Sequence, residues 1–153
     1  MKKTPIIAGL IALLALSCAA QNVVTPAMAG HWEGNARIIV SWCSQTNLSV
    51  KVDIHTDGTV TGAVGDAKLK DGRFQRNRGW LLRKLNWATD YLIMGGLDGP
   101  IVKAEDVTRS KVMMPLNFND GTFEGGVNTS GTLFGGKAHM PFTASGLHLA
   151  RSQ

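Results

Sequence analysis

The sequence predicts an all-β domain: an antiparallel up-and-down meander of about eight strands closed into a barrel, with a β-sandwich as the alternative. Three observations carry this. Asn47 to His55 alternates without a break, with Leu48, Val50, Val52 and Ile54 on one side and Ser49, Lys51, Asp53 and His55 on the other. A period of two marks a half-buried strand. Four Asp-Gly pairs punctuate the chain, at Asp57-Gly58, Asp71-Gly72, Asp98-Gly99 and Asp120-Gly121, and Gly there supplies the positive φ that tight hairpins need. Glycine pairs recur at Gly95-Gly96, Gly125-Gly126 and Gly135-Gly136. Inside strands Gly weakens the ladder, so its repetition marks the bends that a closing sheet requires.

The chain begins with Lys2 and Lys3, followed by an uncharged run from Ile6 to Ala20. A basic start, a short apolar run and a small-residue exit describe a secretory leader, and the run is shorter than the roughly 20 residues of a spanning helix. Ala27-Met28-Ala29 is an A-x-A exit that would release Gly30, making 1–29 the leader and 30–153 the single domain. Two other exits stay open. One follows Ala20. The other precedes Cys18, where Leu16-Ser17-Cys18 resembles a loose lipobox and Cys18 would carry lipid. The expected location is periplasmic or secreted, or anchored through Cys18. The mature chain then has no transmembrane segment. Removing Lys2 and Lys3 lowers the formal charge from +5 to +3, mildly basic rather than polycationic.

Strand-like runs follow at 31–42, 47–55, 59–70, 73–78, 90–97, 100–103, 111–118, 122–128 and 138–150. Matching apolar residues across each turn fixes the expected registers. A three-residue loop, Thr56-Asp57-Gly58, sets Ile54 against Val60, Val52 against Gly62 and Val50 against Val64. A two-residue loop at Asp71-Gly72 sets Leu69 against Phe74. A two-residue loop at Asp120-Gly121 sets Phe118 against Phe123, Leu116 against Gly125 and Met114 against Val127. Trp80 to Trp87 is the best helical candidate, at most two turns. The inward positions Val50, Val52, Ile54, Met114, Leu116 and Phe118 are the expected lining of any small apolar ligand in the barrel.

Gly30-His31-Trp32 matches the Gly-x-Trp that opens the first strand in the calycin superfamily, which includes lipocalins and avidins. The chain resembles that group, and as a whole it is also similar to small secreted bacterial proteins. The calycin resemblance implies a closed eight-stranded barrel that binds a small, often apolar, ligand in its mouth. It also implies that Trp32 closes one barrel end, covered by a basic residue of the last strand, for which Arg151 is the candidate.

Other motifs point less far. Lys68, Lys70, Arg73, Arg76, Arg78, Arg83 and Lys84 lie close together, interleaved with Phe74, Trp80 and Trp87. Such a stretch can hold anionic polymers by charge and stacking, and in an envelope the partners would be anionic lipids or glycans, not nucleic acid. The candidate surface is Arg73, Arg76, Arg78, Arg83 and Lys84, and a solvated hairpin is the plainer reading. Gly131 to Ala138 nearly spells a phosphate loop, but Ala138 stands where Ser or Thr must follow the Lys. His31, His55, His139 and His148 show no metal-ligand spacing. Cys43 reads as a small buried hydrophobe. Asp53 and His55 share a strand face but lack a marked nucleophile. No catalytic residues, metal or cofactor are therefore expected. The function expected is binding of a small apolar ligand, or alternatively an envelope interaction or structural role through the basic-aromatic surface of 68–87.

Overall fold

Alternation of buried and exposed side chains is clearest from Asn47 to Ile54, where Leu48, Val50, Val52 and Ile54 are buried. The computed structural model describes residues 23–77, 89–102, 108–133 and 138–152. Its strands are β1 (Gly30–Ile38), β2 (Asn47–Ile54), β3 (Thr59–Val64), β4 (Ala67–Arg76), β5 (Tyr91–Asp98), β6 (Thr108–Asn119), β7 (Thr122–Leu133) and β8 (Ala138–Arg151). Each pairs antiparallel with its neighbour in sequence, and β1 pairs with β8 to close the barrel. No helix occurs among the described residues. The Trp80–Trp87 segment, the Gly135-Gly136 pair and residues 134–137 of the phosphate-loop look-alike lie outside the described residues.

Two expected registers are those observed. β2 and β3 pair Ile54↔Val60, Val52↔Gly62 and Val50↔Val64, with Gly58 at φ 82° closing the three-residue loop. β6 and β7 pair Phe118↔Phe123 and Leu116↔Gly125, and the register continues through Met113↔Asn128. Asp120 and Gly121 both have positive φ, at 48° and 79°, the signature of a type I′ turn, whose twist matches that of the strands.

The third expected hairpin is corrected. Asp71-Gly72 is not a turn: β4 runs straight through it. The pairing with β5 shifts by one residue between Lys70↔Gly96 and Arg73↔Met94, so the pair forms a β-bulge with Asp71 at φ 51°. The extra residue re-phases the strand. Leu69 and Phe74 are five positions apart, yet both are buried. The actual hairpin lies at Gly65-Asp66, between Val64 and Ala67, so the expected strands 59–70 and 73–78 become 59–64 and 67–76. The expected strand 100–103 is also corrected. Ile101 and Val102 are irregular and almost fully buried, and the Ile101 carbonyl accepts from the Asp66 amide at 3.1 Å. The expected run 31–42 stops at Ile38, before a turn at Ser41-Trp42.

A second bulge, at Gly146, shifts β8 against both neighbours. Its φ of 64° lies in the left-handed region that Gly enters without penalty. The shift keeps Phe142, Ala144, Leu147 and Leu149 all facing inward, each at most 1% exposed.

Candidate functional site

The lumen is lined by the inward positions of all eight strands, and they form one continuous hydrophobic cluster. Val50, Val52, Met114 and Leu116 have no accessible surface, and Ile54 keeps 2%. A space able to hold a small molecule would leave its walls accessible to a water-sized probe, so at these positions the lumen holds side chains. Phe118 is partly buried against the same cluster. Towards one end an aromatic group fills the section. Phe123 lies 4.8 Å from Trp32, 5.7 Å from Phe74 and 4.8 Å from Phe118 between ring centroids, and Tyr91 stacks on Phe74 at 5.1 Å.

Both ends carry an arginine stacked on aromatic rings. At the Trp32 end, the Arg151 guanidinium lies 5.2 Å from the ring centroid of Trp32, brought there by the Trp32↔Arg151 pairing of β1 and β8. At the other end, Arg109 lies 5.4 Å from Trp42 and 5.1 Å from Phe142. Sequence reasoning did not single out Arg109, Trp42 or Phe142, because they come from three separate segments.

The basic stretch divides. Arg73 and Arg76 of β4 are exposed, Arg73 on its outer face and Arg76 at its end. Lys70 pairs with Asp98 at 2.8 Å. Arg78, Arg83 and Lys84, with Trp80 and Trp87, lie outside the described residues.

On the outer face of β1 and β2, His31 bridges two carboxylates. Its Nδ1 is 2.7 Å from Asp53 Oδ1 and its Nε2 2.9 Å from Glu33 Oε1, while Lys51 reaches Glu33 at 3.2 Å. Both ring nitrogens can donate only as imidazolium. The hydrogen bond to Glu33, then that to Asp53, accordingly holds His31 above its ordinary value, and His31 and Lys51 hold Glu33 below its own. Asp53 thus pairs with His31, while His55 contacts Thr61 at 3.3 Å. Cys43 lies beyond the far end of β1, next to Val40. No group of His, Cys, Asp or Glu among the described residues could hold a metal ion.

The outer wall of β5–β8 departs from the polar pattern expected of a solvated face. Met113 and Pro115 alternate with the buried Val112, Met114 and Leu116 and therefore point outward. Leu92 also points outward, since Ile93 faces the lumen, yet it is only 7% exposed. These side chains, with Gly125 and Gly126, line a half-open cleft of about 360 Å³. Asn77, Thr89, Asn128, Thr143 and Ser145 also line it. A second cleft of about 350 Å³ adjoins it, sharing Met113, Asn128 and Thr143 and adding Met94, Lys111 and Pro141. The sequence carried a signal for this wall. Val112 to Leu116 is apolar at five consecutive positions, and Leu92-Ile93-Met94 at three, where one-sided burial would alternate.

No helix among the described residues is long and apolar enough to cross a membrane. Comparison with protein-family models, with curated protein sequences and with solved structures finds no match to this chain.

Proposed function

We propose that this chain is an exported binding protein, acting without catalysis, that holds a small apolar molecule on the outer wall of its barrel. One observation carries the reading: an apolar cleft of about 360 Å³, within the size range of small-molecule sites and with a few polar groups in its lining, as such sites have. The lumen, the other place for a ligand, is filled at its inward positions. The calycin resemblance enters through the Gly-x-Trp start and the Trp32–Arg151 stack, which support a calycin-like barrel end.

The test uses a neutral apolar fluorophore, N-phenyl-1-naphthylamine. It should bind saturably with one-to-one stoichiometry. Met113→Glu, which places a charge in the cleft, and Thr143→Trp, which fills it, should each weaken binding at least tenfold. Val52→Ala, in the lumen, should leave affinity within twofold. Loss of binding in Val52→Ala with full binding in the two cleft variants would return the ligand to the lumen. Absence of saturable binding would end the reading.

A further inference from the structure

We infer that the mature chain keeps residues 23–29 as a built-in plug of the barrel, so that processing cuts upstream of Val23, at Cys18 or Ala20, and not after Ala29. The inference rests on the reading of the first residues as an export leader, and on the way 23–29 is fastened.

Val24 and Met28 are 7% and 5% exposed and belong to the core cluster, with Val23 and Ala29 packed against it. The segment is a hydrogen-bonded turn, in which the Met28 and Ala29 amides donate to the Thr25 carbonyl at 2.9 and 3.1 Å. Its carbonyls then satisfy the two side chains that close this end. The buried Trp32 Nε1–H donates to the Met28 carbonyl at 2.9 Å. The Arg151 guanidinium donates to the carbonyls of Ala27 and Ala29, both at 2.8 Å.

A cut after Ala29 removes all three acceptors at once. The Trp32 indole N–H would lose its protein acceptor, and the apolar surface that Val24 and Met28 bury against the core cluster would open to solvent. The cut also creates a new ammonium at Gly30. A Cβ on Gly30 would sit 3.5 Å from the Arg151 guanidinium carbon, so the new charge would face a like charge where a carbonyl had been. Cutting at Cys18 or Ala20 leaves every one of these contacts whole. Within the A-x-A pattern, Met28 is buried and Ala29 packs against the core cluster, while Ala27 is exposed.

Intact-mass spectrometry of the protein recovered from the envelope and medium of cells making the full chain decides the matter. A chain starting at Gln21, or at a lipidated Cys18, is expected, and Ala29→Leu should leave that mass unchanged apart from the substitution. A chain starting at Gly30, or a block of processing by Ala29→Leu, overturns the inference while leaving export standing. An uncleaved chain starting at Met1 in those fractions overturns the cut, and absence of the chain from both fractions refutes the export reading. In addition, protein started at Gly30 behind an unrelated leader should melt roughly 10 °C below protein started at Gln21. Equal melting temperatures would show that 23–29 is no plug.

Discussion

Removing the Trp32 ring should be among the most damaging single changes in this chain. The ring has no accessible surface. It packs edge-on against Phe123 at 4.8 Å and Phe118 at 6.0 Å, donates to Met28 and lies under Arg151. Truncation of a buried Trp costs about 3–5 kcal/mol through lost transfer energy and the cavity left behind. Domains of this kind have only about 5–15 kcal/mol in hand, so Trp32→Ala should be close to unfolding at physiological temperature. Trp32→Phe keeps most of the ring but loses the hydrogen bond, about 1 kcal/mol, plus the smaller void. Arg151→Met keeps the apolar stem and removes the cation. In a double-mutant cycle with Trp32→Phe, the pair should couple by about 0.5–1 kcal/mol, the range for a partly exposed cation over a ring. Urea unfolding followed by far-UV circular dichroism measures all three. A cost below about 1 kcal/mol for Trp32→Ala would refute the idea that this end of the barrel is closed by the indole.

Other expectations are as direct. The His31 ring, followed by NMR, should titrate above 6.5, its ordinary value, and Glu33→Gln with Asp53→Asn should bring it back. Because the folded value of His31 is raised, its small contribution to stability is complete below 6.5 and is lost as pH rises through the folded value, whereas the lowered value of Glu33 makes its contribution complete above 4.5 and lost as pH falls through its folded value; no gain in stability on lowering the pH from above the folded value of His31 to 6.5 would contradict the assignment. Gly125→Ala should destabilise by about 1–3 kcal/mol, because a Cβ there would lie 1.9 Å from the Pro115 carbonyl oxygen, a backbone atom that cannot swing away; a neutral result in thermal melts would show that β6 and β7 lie farther apart. Arg73→Gln with Arg76→Gln should weaken any binding to anionic vesicles and lessen its salt sensitivity, since exposed charges act over a Debye length of about 8 Å, while leaving the melting temperature nearly unchanged. Vesicle binding equal to that of the parent would remove β4 from any anionic surface.

The strand pattern and two of the three hairpin registers were legible because their causes are local. Side chains alternate with a period of two, and a turn of given length can match apolar residues in only one way, as Ile54 with Val60 and Phe118 with Phe123 show. Asp71-Gly72 was misread for an equally local reason. The same dipeptide provides the positive φ of a hairpin and that of a bulge, and nothing within a few residues tells them apart. The choice is made by β5, whose shifted pairing opposite Lys70 and Arg73 lets Leu69 and Phe74 share the lumen.

The candidate site was less legible than the fold. The inward set Val50, Val52, Ile54, Met114, Leu116 and Phe118 follows from alternation, but alternation says which side chains face inward and not whether they leave space between them. That depends on volumes contributed by all eight strands, and above all on Phe74, Phe118 and Phe123 meeting around Trp32. The cleft on the outer wall likewise draws on β5, β6, β7 and β8 together.

By itself, then, the sequence determined the all-β class, the meander order and the pairing of neighbours, because hydrophobic period and turn chemistry act between residues close along the chain. Only the tertiary structure decided between the expected barrel and the β-sandwich, through the pairing of β1 with β8, and only it decided the filling of the lumen, the seating of 23–29 against Arg151 and the apolar wall. Each of these is a contact between segments remote in sequence, fixed by how volumes and hydrogen-bonding groups meet when the sheet curls shut.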